Sequence, residues 1–245
     1  MTVAAAHAAG WTWDIGLAGA RGIGTVFSSD HMRDDEALAI LTAYTGRADI
    51  EPRLLPFEPG YRPEPWVRNC VAIGLSGGFL EPLESTGLVL IEAAVAMLAE
   101  LFPQIGPVDA PAKRFNDLMT ARYEAIINFL KLHYCLSERP EPFWRENTSA
   151  SSITPRLQEL LAQWRYRPPS RFDFTLDVES FAFFNYQYVL YGMGYATHAD
   201  LPAAIETQGA KAAEKIFRRI RTFGDRAAAD LPSHRALVSA IAQPG

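Results

Sequence analysis

Cysteine is nearly absent: Cys70 and Cys135 are the two in 245 residues, far apart and without a second pair at metal-site spacing. That excludes a disulfide scaffold and a cysteine zinc site, and points to a reduced cytoplasmic protein. Positive charge is nowhere concentrated. The formal net charge is -5 with no basic stripe, which argues against nucleic acid and against an anionic membrane surface as partners. The start, "MTVAAAHAAGWTW", lacks a basic region and a long apolar segment, so it does not read as an export signal. The most apolar run, 85–103, is interrupted by Glu92 and Glu100 and ends at Pro103 near the lower limit for spanning, so it reads as a buried core helix and not a membrane segment.

The apolar fraction is 49%, enough for a sizeable core. "GWTWDIGL" (10–17) and "RGIGTVFSS" (21–29) are rich in aromatic and β-branched residues and flank a small-residue turn at 18–20, which predicts a hairpin. From Asp30, a candidate cap, Met32, Ala37, Leu38, Leu41 and Tyr44 form a helical stripe that Gly46 ends. Prolines between Arg53 and Pro65 exclude regular helix, leaving Leu54, Leu55 and Phe57 for an irregular or edge strand. "WVRNCVAIGL" (66–75) reads as a buried strand running into "GLSGG", with a helix over about 86–102 behind it.

Past the linker "PQIGPVDAPA" the patterns are mainly helical. They cover 113–136, 152–166 with Ser152 or Thr154 as cap and Pro155 in the first turn, and two tail segments at 208–222 and about 231–242. The aromatic stretch 181–195 reads equally as helix or loop. The expected class is α+β: short mixed strands on the N-terminal side, then a mostly helical region. The expected division is 1–103 and 104–245.

Chemistry concentrates in "FLEPLESTGL". A helix start leaves amide hydrogens unpaired, so the backbone near Thr86 and Gly87 can hold an anion, and a carboxylate just before it, Glu84, can act as base or electrostatic stabiliser. The competing reading is that Ser85 or Thr86 caps the helix while Glu81 and Glu84 complement its dipole, the commoner use of these residue types. His133, on the apolar face of a long helix, reads as a hydrogen-bonded core histidine; no second His or Cys stands at metal spacing. Aromatics from Trp11 and Trp13 to Tyr195 can stack on a flat substrate or simply fill the core. "GARGIG" (19–24) is not a dinucleotide fingerprint, because its glycine order is wrong and it lies in a hairpin.

Taken in order, "GWTWDIGL", "GTVFSSDHMRDDEAL", "NCVAIGLSGGFLEPLESTGL", "INFLKLHY" with "FWREN", and "YVLYGMGY" resemble the C-terminal half of flavin-dependent tryptophan halogenases, over most of residues 10–195. The resemblance implies a partial flavin-monooxygenase-like fold. It also implies a chemistry in which reduced FAD and oxygen give a flavin hydroperoxide, a halide attacks it, and hypohalous acid travels a tunnel to an electron-rich aromatic ring. By resemblance Glu84 is the catalytic glutamate, Thr86 and Gly87 are the halide-binding backbone, Leu75 and Leu88 contact the flavin, and Ser85 lies near the tunnel end. Trp11 and Trp13 match the indoles that crowd the flavin side, although Gly16 replaces the last proline of the family's Trp-x-Trp-x-Ile-Pro motif. Glu81 gains no role and stays structural.

The family's substrate-holding Phe-Trp pair has no tryptophan counterpart in "ESFAFFNYQYVLYGMG", which sets free tryptophan aside in favour of another indole-like compound. The family's Gly-x-Gly-x-x-Gly flavin unit and catalytic lysine have no counterpart either; Lys113, Lys131 and Lys211 all follow the site. The chain is therefore expected to be inactive alone, to expose apolar surface, and to need a flavin-domain polypeptide and a flavin reductase. Two rivals stand beside this reading: a non-catalytic aromatic-binding scaffold and a flavin monooxygenase fragment. Trp11 and Trp13 favour the halogenase over the latter.

Overall fold

A computed structural model describes residues 2–17, 19–175, 179–198 and 203–241. It opens with a three-stranded antiparallel sheet in the order β1 (Thr2–His7), β2 (Gly10–Gly16), β3 (Arg21–Phe27). The hairpin of β2 and β3 matches the sequence reading, with Ala18 of its turn outside the described residues; β1 was not anticipated. Its alanines carry little β-propensity, and their smallness explains their place. Trp11 and Trp13 project from the same face of β2 and sit opposite Ala6 and Ala4 on one side, Val26 and Gly24 on the other. Trp13 lies across β3 so closely that a Cβ on Gly24 would stand 2.5 Å from its indole. Alternate residues Thr12 and Asp14 are buried on the opposite face. There Asp14 accepts hydrogen bonds from Arg21 (2.8 Å) and from Tyr44 Oη (3.0 Å) on α1 (Asp34–Thr45), which docks that helix on the sheet.

Helix α1 ends at Gly46, as expected, with φ of 68°. Its start differs from the sequence reading: Arg33, not Asp30, is the capping position, and its backbone N–H donates to Glu36 Oε2 at 2.9 Å.

The buried strand expected over 66–75 does not form. The chain makes two two-residue strands, β5 (Trp66–Val67) and β6 (Cys70–Val71), following β4 (Gly60–Tyr61), which pairs with β7 (Gly78–Phe79). The reason is a side chain fifty residues away. Asn116 accepts from the Trp66 N–H (2.8 Å) and donates to the Trp66 carbonyl (2.9 Å), taking both backbone groups that a longer ladder would use. Arg68, at a φ of 54°, reverses the chain between the two strands, and Leu54, Leu55 and Phe57 lie in exposed irregular backbone.

Helix α2 (Gly87–Leu101) packs against the 27-residue α3 (Asp109–Cys135). The expectation that α2 is buried in the core is corrected. Leu90 and Ala94 are buried, with Met97, Leu98 and Leu101 packed beside them, while Leu88, Val89, Ile91 and Val95 are exposed. One face of α2 therefore meets α3, and a second apolar face lies bare. No helix among the described residues is long and apolar enough to cross a membrane.

Helix α3 also carries the second core cluster, in which Phe129 and Leu132 meet Leu157, Leu160 and Trp164 of α5 (Pro155–Trp164) and Tyr186 and Leu190 of α6 (Phe183–Gly192). Thr154 caps α5 by accepting from the Leu157 N–H (3.2 Å), and Pro155 opens it, as the sequence indicates. Between α3 and α5 lies α4 (Pro142–Thr148), whose Trp144 indole N–H donates to the His7 carbonyl at 2.7 Å and ties it to β1. The tail forms α7 (Ala203–Asp230), which extends beyond the predicted 208–222 at both ends, and α8 (His234–Ile241), which falls within the predicted 231–242. Along α7, Ile216, Phe217, Ile220 and Phe223 make an exposed apolar stripe.

Trp13 depends on bare backbone at Gly24. Gly24→Ala is expected to force the indole off β3 and to destabilise the chain by about 1–3 kcal/mol, the usual cost of overpacking. A shift of tryptophan emission together with a lower thermal midpoint checks this.

Candidate functional site

The segment between β7 and α2 is a single 3₁₀ turn, Pro82–Glu84, closed by Ser85 in the left-handed region at φ 53°. Thr86 then enters α2 with helical backbone angles, and no side chain caps the helix. The capping role open to Ser85 or Thr86 from sequence is thus unfilled, and the first-turn amides near Thr86 and Gly87 keep their capacity for an anion. Thr86 is buried; Ser85 and Gly87 are exposed.

Both glutamates of the turn are held by consecutive residues in the last turn of α3. The Tyr134 hydroxyl donates to Glu81 Oε2 at 2.8 Å, and His133 Nε2 lies 2.9 Å from Glu84 Oε1. The environments differ. Burial pushes the Glu81 carboxyl above its ordinary range, against the opposing pull of the Tyr134 hydroxyl, and burial also raises the Tyr134 phenol. The Glu84 side chain keeps 33% of its surface exposed. His133 Nδ1 lies 2.9 Å from the Phe129 carbonyl one helical turn back, and its ring packs edge-on against Phe129 at 5.0 Å.

A cleft of about 680 Å³ opens beside this clamp, lined by Trp11, Leu83, His133, Tyr134, Arg139 and Trp144 among others. Trp11 is 5% exposed and clusters with Tyr134 and Trp144, whose rings stack at 5.6 Å. The Trp11 indole N–H is buried without a hydrogen-bond acceptor of ordinary geometry, and so is the Arg139 Nε. Aromatic walls with a few polar groups among them suit a flat, partly polar ligand.

The tryptophan halogenase family model matches residues 1–208. The chain belongs to the tryptophan halogenase family. It is 33% identical to the 7-chloro-L-tryptophan 6-halogenase KtzR of Kutzneria sp. (strain 744), over 95% of this chain and 45% of that protein. A tryptophan halogenase from Shewanella frigidimarina NCIMB 400 superposes with a TM-score of 0.91 at 37% identity, covering 100% of this chain and 47% of that one. BrvH, a flavin-dependent halogenase from Brevundimonas sp. BAL3, gives a TM-score of 0.84 at 35% identity, with 98% and 48% covered. The chain spans about half the length of the curated relatives it matches.

Within this halogenase-family chain, Leu75 and Leu88 are 81% and 79% exposed. Leu75 rides on the 3₁₀ turn Gly74–Ser76, which lies against Ile91, about one helical turn along α2 from Leu88. Gly74 holds a φ of 67° there. Trp11 and Trp13 stand on the sheet: Trp11 reaches the cleft, and Trp13 lies over Gly22 and Gly24.

Four features of the site were not assigned from sequence: the pairing of His133 with Glu84, the burial of Glu81 against Tyr134, the Trp144 wall, and Glu179. All but the wall are contacts over 48 residues or more, or effects of burial, and leave no local spacing to read. Glu179, beside the aromatic segment, is pushed up to about 7 by burial, opposed by the charges of Arg156 and Arg122, and its Oε2 is buried without a hydrogen-bond partner.

Two outcomes follow from these carboxylates. Tyr134→Phe removes the donor to a buried Glu81 and is expected to cost about 1–3 kcal/mol of unfolding free energy, measured by chemical denaturation. For Glu179 the folded state binds its proton more tightly than the unfolded chain, so this group lowers stability as pH rises from about 4.5 to about 7, and the loss is complete above that. Glu179→Gln should flatten that part of the stability-versus-pH curve.

Proposed function

We propose that this chain is the substrate- and halide-handling portion of a flavin-dependent halogenase acting on an electron-rich, indole-like aromatic compound. The observation that carries the reading is the turn itself: a carboxylate, Glu84, fixed three residues before Gly87, where α2 starts uncapped, and next to an aromatic cleft. In this reading residues 1–103 provide the flavin-facing and halide-binding surface, and 104–245 cover the substrate.

The exposed pair Leu75 and Leu88, with glycines at 74 and 87 admitting close approach, fits the apolar edge of an isoalloxazine ring. Bound reduced FAD would supply, with oxygen, the oxidising power that turns halide into an electrophilic halogen. The chain's own part is to hold and direct. The Thr86 and Gly87 amides bind the halide through the positive end of the α2 dipole. Glu84 orients the oxidant and accepts the ring proton, with Ser85 beside it at the tunnel end. Trp11 walls the cleft, and Trp13 keeps the flavin side crowded against ordinary monooxygenation.

The relatives' greater length supports a requirement for an FAD-binding region, on the same polypeptide or another, and for a flavin reductase as transient partner. Both cysteines are free, which supports a reducing, cytoplasmic setting.

Assayed with an FAD-binding region and enzymatically reduced flavin, Glu84→Gln is expected to abolish halogenated product while flavin oxidation continues at the unaltered rate. Product formation at the original rate would remove Glu84 from the mechanism. Flavin uptake by the chain, read from its visible spectrum, separates this reading from an aromatic-binding scaffold that has lost redox chemistry.

A further inference from the structure

We infer that His133 is the positioning residue of Glu84, and that the two hold one proton between them, on the line from His133 Nε2 to Glu84 Oε1. This rests on the reading of Glu84 as the group that meets substrate. The geometry alone fixes the proton count. His133 Nδ1 lies 2.9 Å from the Phe129 carbonyl, which can only accept, so Nδ1 carries hydrogen. A neutral ring with hydrogen on Nδ1 presents a bare lone pair at Nε2, and a carboxylate presents only lone pairs. Two such atoms at 2.9 Å repel unless a proton lies between them. Imidazolium with carboxylate and imidazole with carboxylic acid are the two tautomers of this pair, with the same proton count.

The ring cannot turn away from this duty. It is anchored by the carbonyl one turn back and by the edge-on Phe129, which is itself stacked on Phe181 at 3.9 Å and packed against Tyr186 at 4.8 Å. On the other side Glu84 closes a turn whose next residue, Ser85, is fixed in the left-handed region. Both partners are therefore held by backbone as well as by each other. The neighbouring carboxylate, Glu81, is engaged by Tyr134, and Lys131 by Asn147 at 2.7 Å, so neither substitutes for His133 as partner to Glu84.

The pairing assigns roles during ring substitution. Halogen leaves hypohalous acid as the electrophile, its bonding pair staying on oxygen as hydroxide, and forms its bond with a ring carbon. The proton on that carbon passes to the second oxygen of Glu84, the ring regains aromaticity, and the proton with the hydroxide makes water. His133 holds Oε1 through the shared proton, which leaves the second oxygen of Glu84 to meet the ring proton.

The test uses ¹⁵N-histidine-labelled full chain. There are five histidines, and His133→Gln assigns the signal. The expected spectrum shows hydrogen on Nδ1, and Glu84→Gln moves the Nε2 resonance while leaving Nδ1 in place. Hydrogen on Nε2 with a bare Nδ1, or an Nε2 signal indifferent to Glu84→Gln, overturns the pairing. A second measurement uses halogenation kinetics with the FAD-binding region. His133→Gln keeps an N–H donor toward Glu84 but cannot carry the exchangeable proton, so kcat should fall by about 10²-fold with KM for the aromatic substrate unchanged. His133→Leu should fall to the level of Glu84→Gln. An active Glu84→Gln defeats the proposed function and leaves the spectrum to judge the pair; an inactive Glu84→Gln beside a fully active His133→Leu defeats this inference alone.

Discussion

Everything at the site hangs from one helix. Asn116, near the start of α3, grips both backbone groups of Trp66, and His133 and Tyr134, in its last turn, grip Glu84 and Glu81. The two grips are 17 to 18 residues apart, about 27 Å at helical rise. Between them the chain from Trp66 to Glu84 carries the short strands, the Gly74 turn and the entry to α2. That segment has almost no ladder hydrogen bonding of its own, so α3 serves as the rigid edge against which its irregular backbone is measured.

The same arrangement separates two carboxylates that are alike in sequence. Glu81 is drawn inward and desolvated, which favours its neutral form against the opposing hydrogen bond from the Tyr134 phenol. Glu84, three residues on, keeps a third of its side-chain surface and is matched to an imidazole. One turn of 3₁₀ helix sets them on the same side but a turn apart, so they meet different residues of α3 and differ in burial.

Much of the architecture was legible in sequence where the signal is local. Alternation around Trp11 and Trp13, the glycine stop at 46, the Thr154-Pro155 helix start and the long apolar stripe of α3 each record a short-range preference. The failures share a cause. The expected strand at 66–75 is cut short by Asn116, and β1 forms from alanines chosen for their size beside two indoles. In α2 the apolar pattern predicts burial, yet a residue's polarity does not say whether its neighbour lies within the same stretch of chain. The candidate turn stands out in sequence as a motif, "EPLESTG", but not as a geometry. Its ordering depends on His133 and Tyr134, about fifty residues away.

Ser85 draws a line between two kinds of improvement. A non-glycine residue in the left-handed region costs on the order of 1–2 kcal/mol, so glycine at this position is a substitution that a search for thermal stability would select. The gain would come with a turn free to relax, and with it the fixed bearing of the carboxylate one residue earlier. Position 85 is thus a place where robustness and a fixed bearing for the neighbouring carboxylate pull in opposite directions.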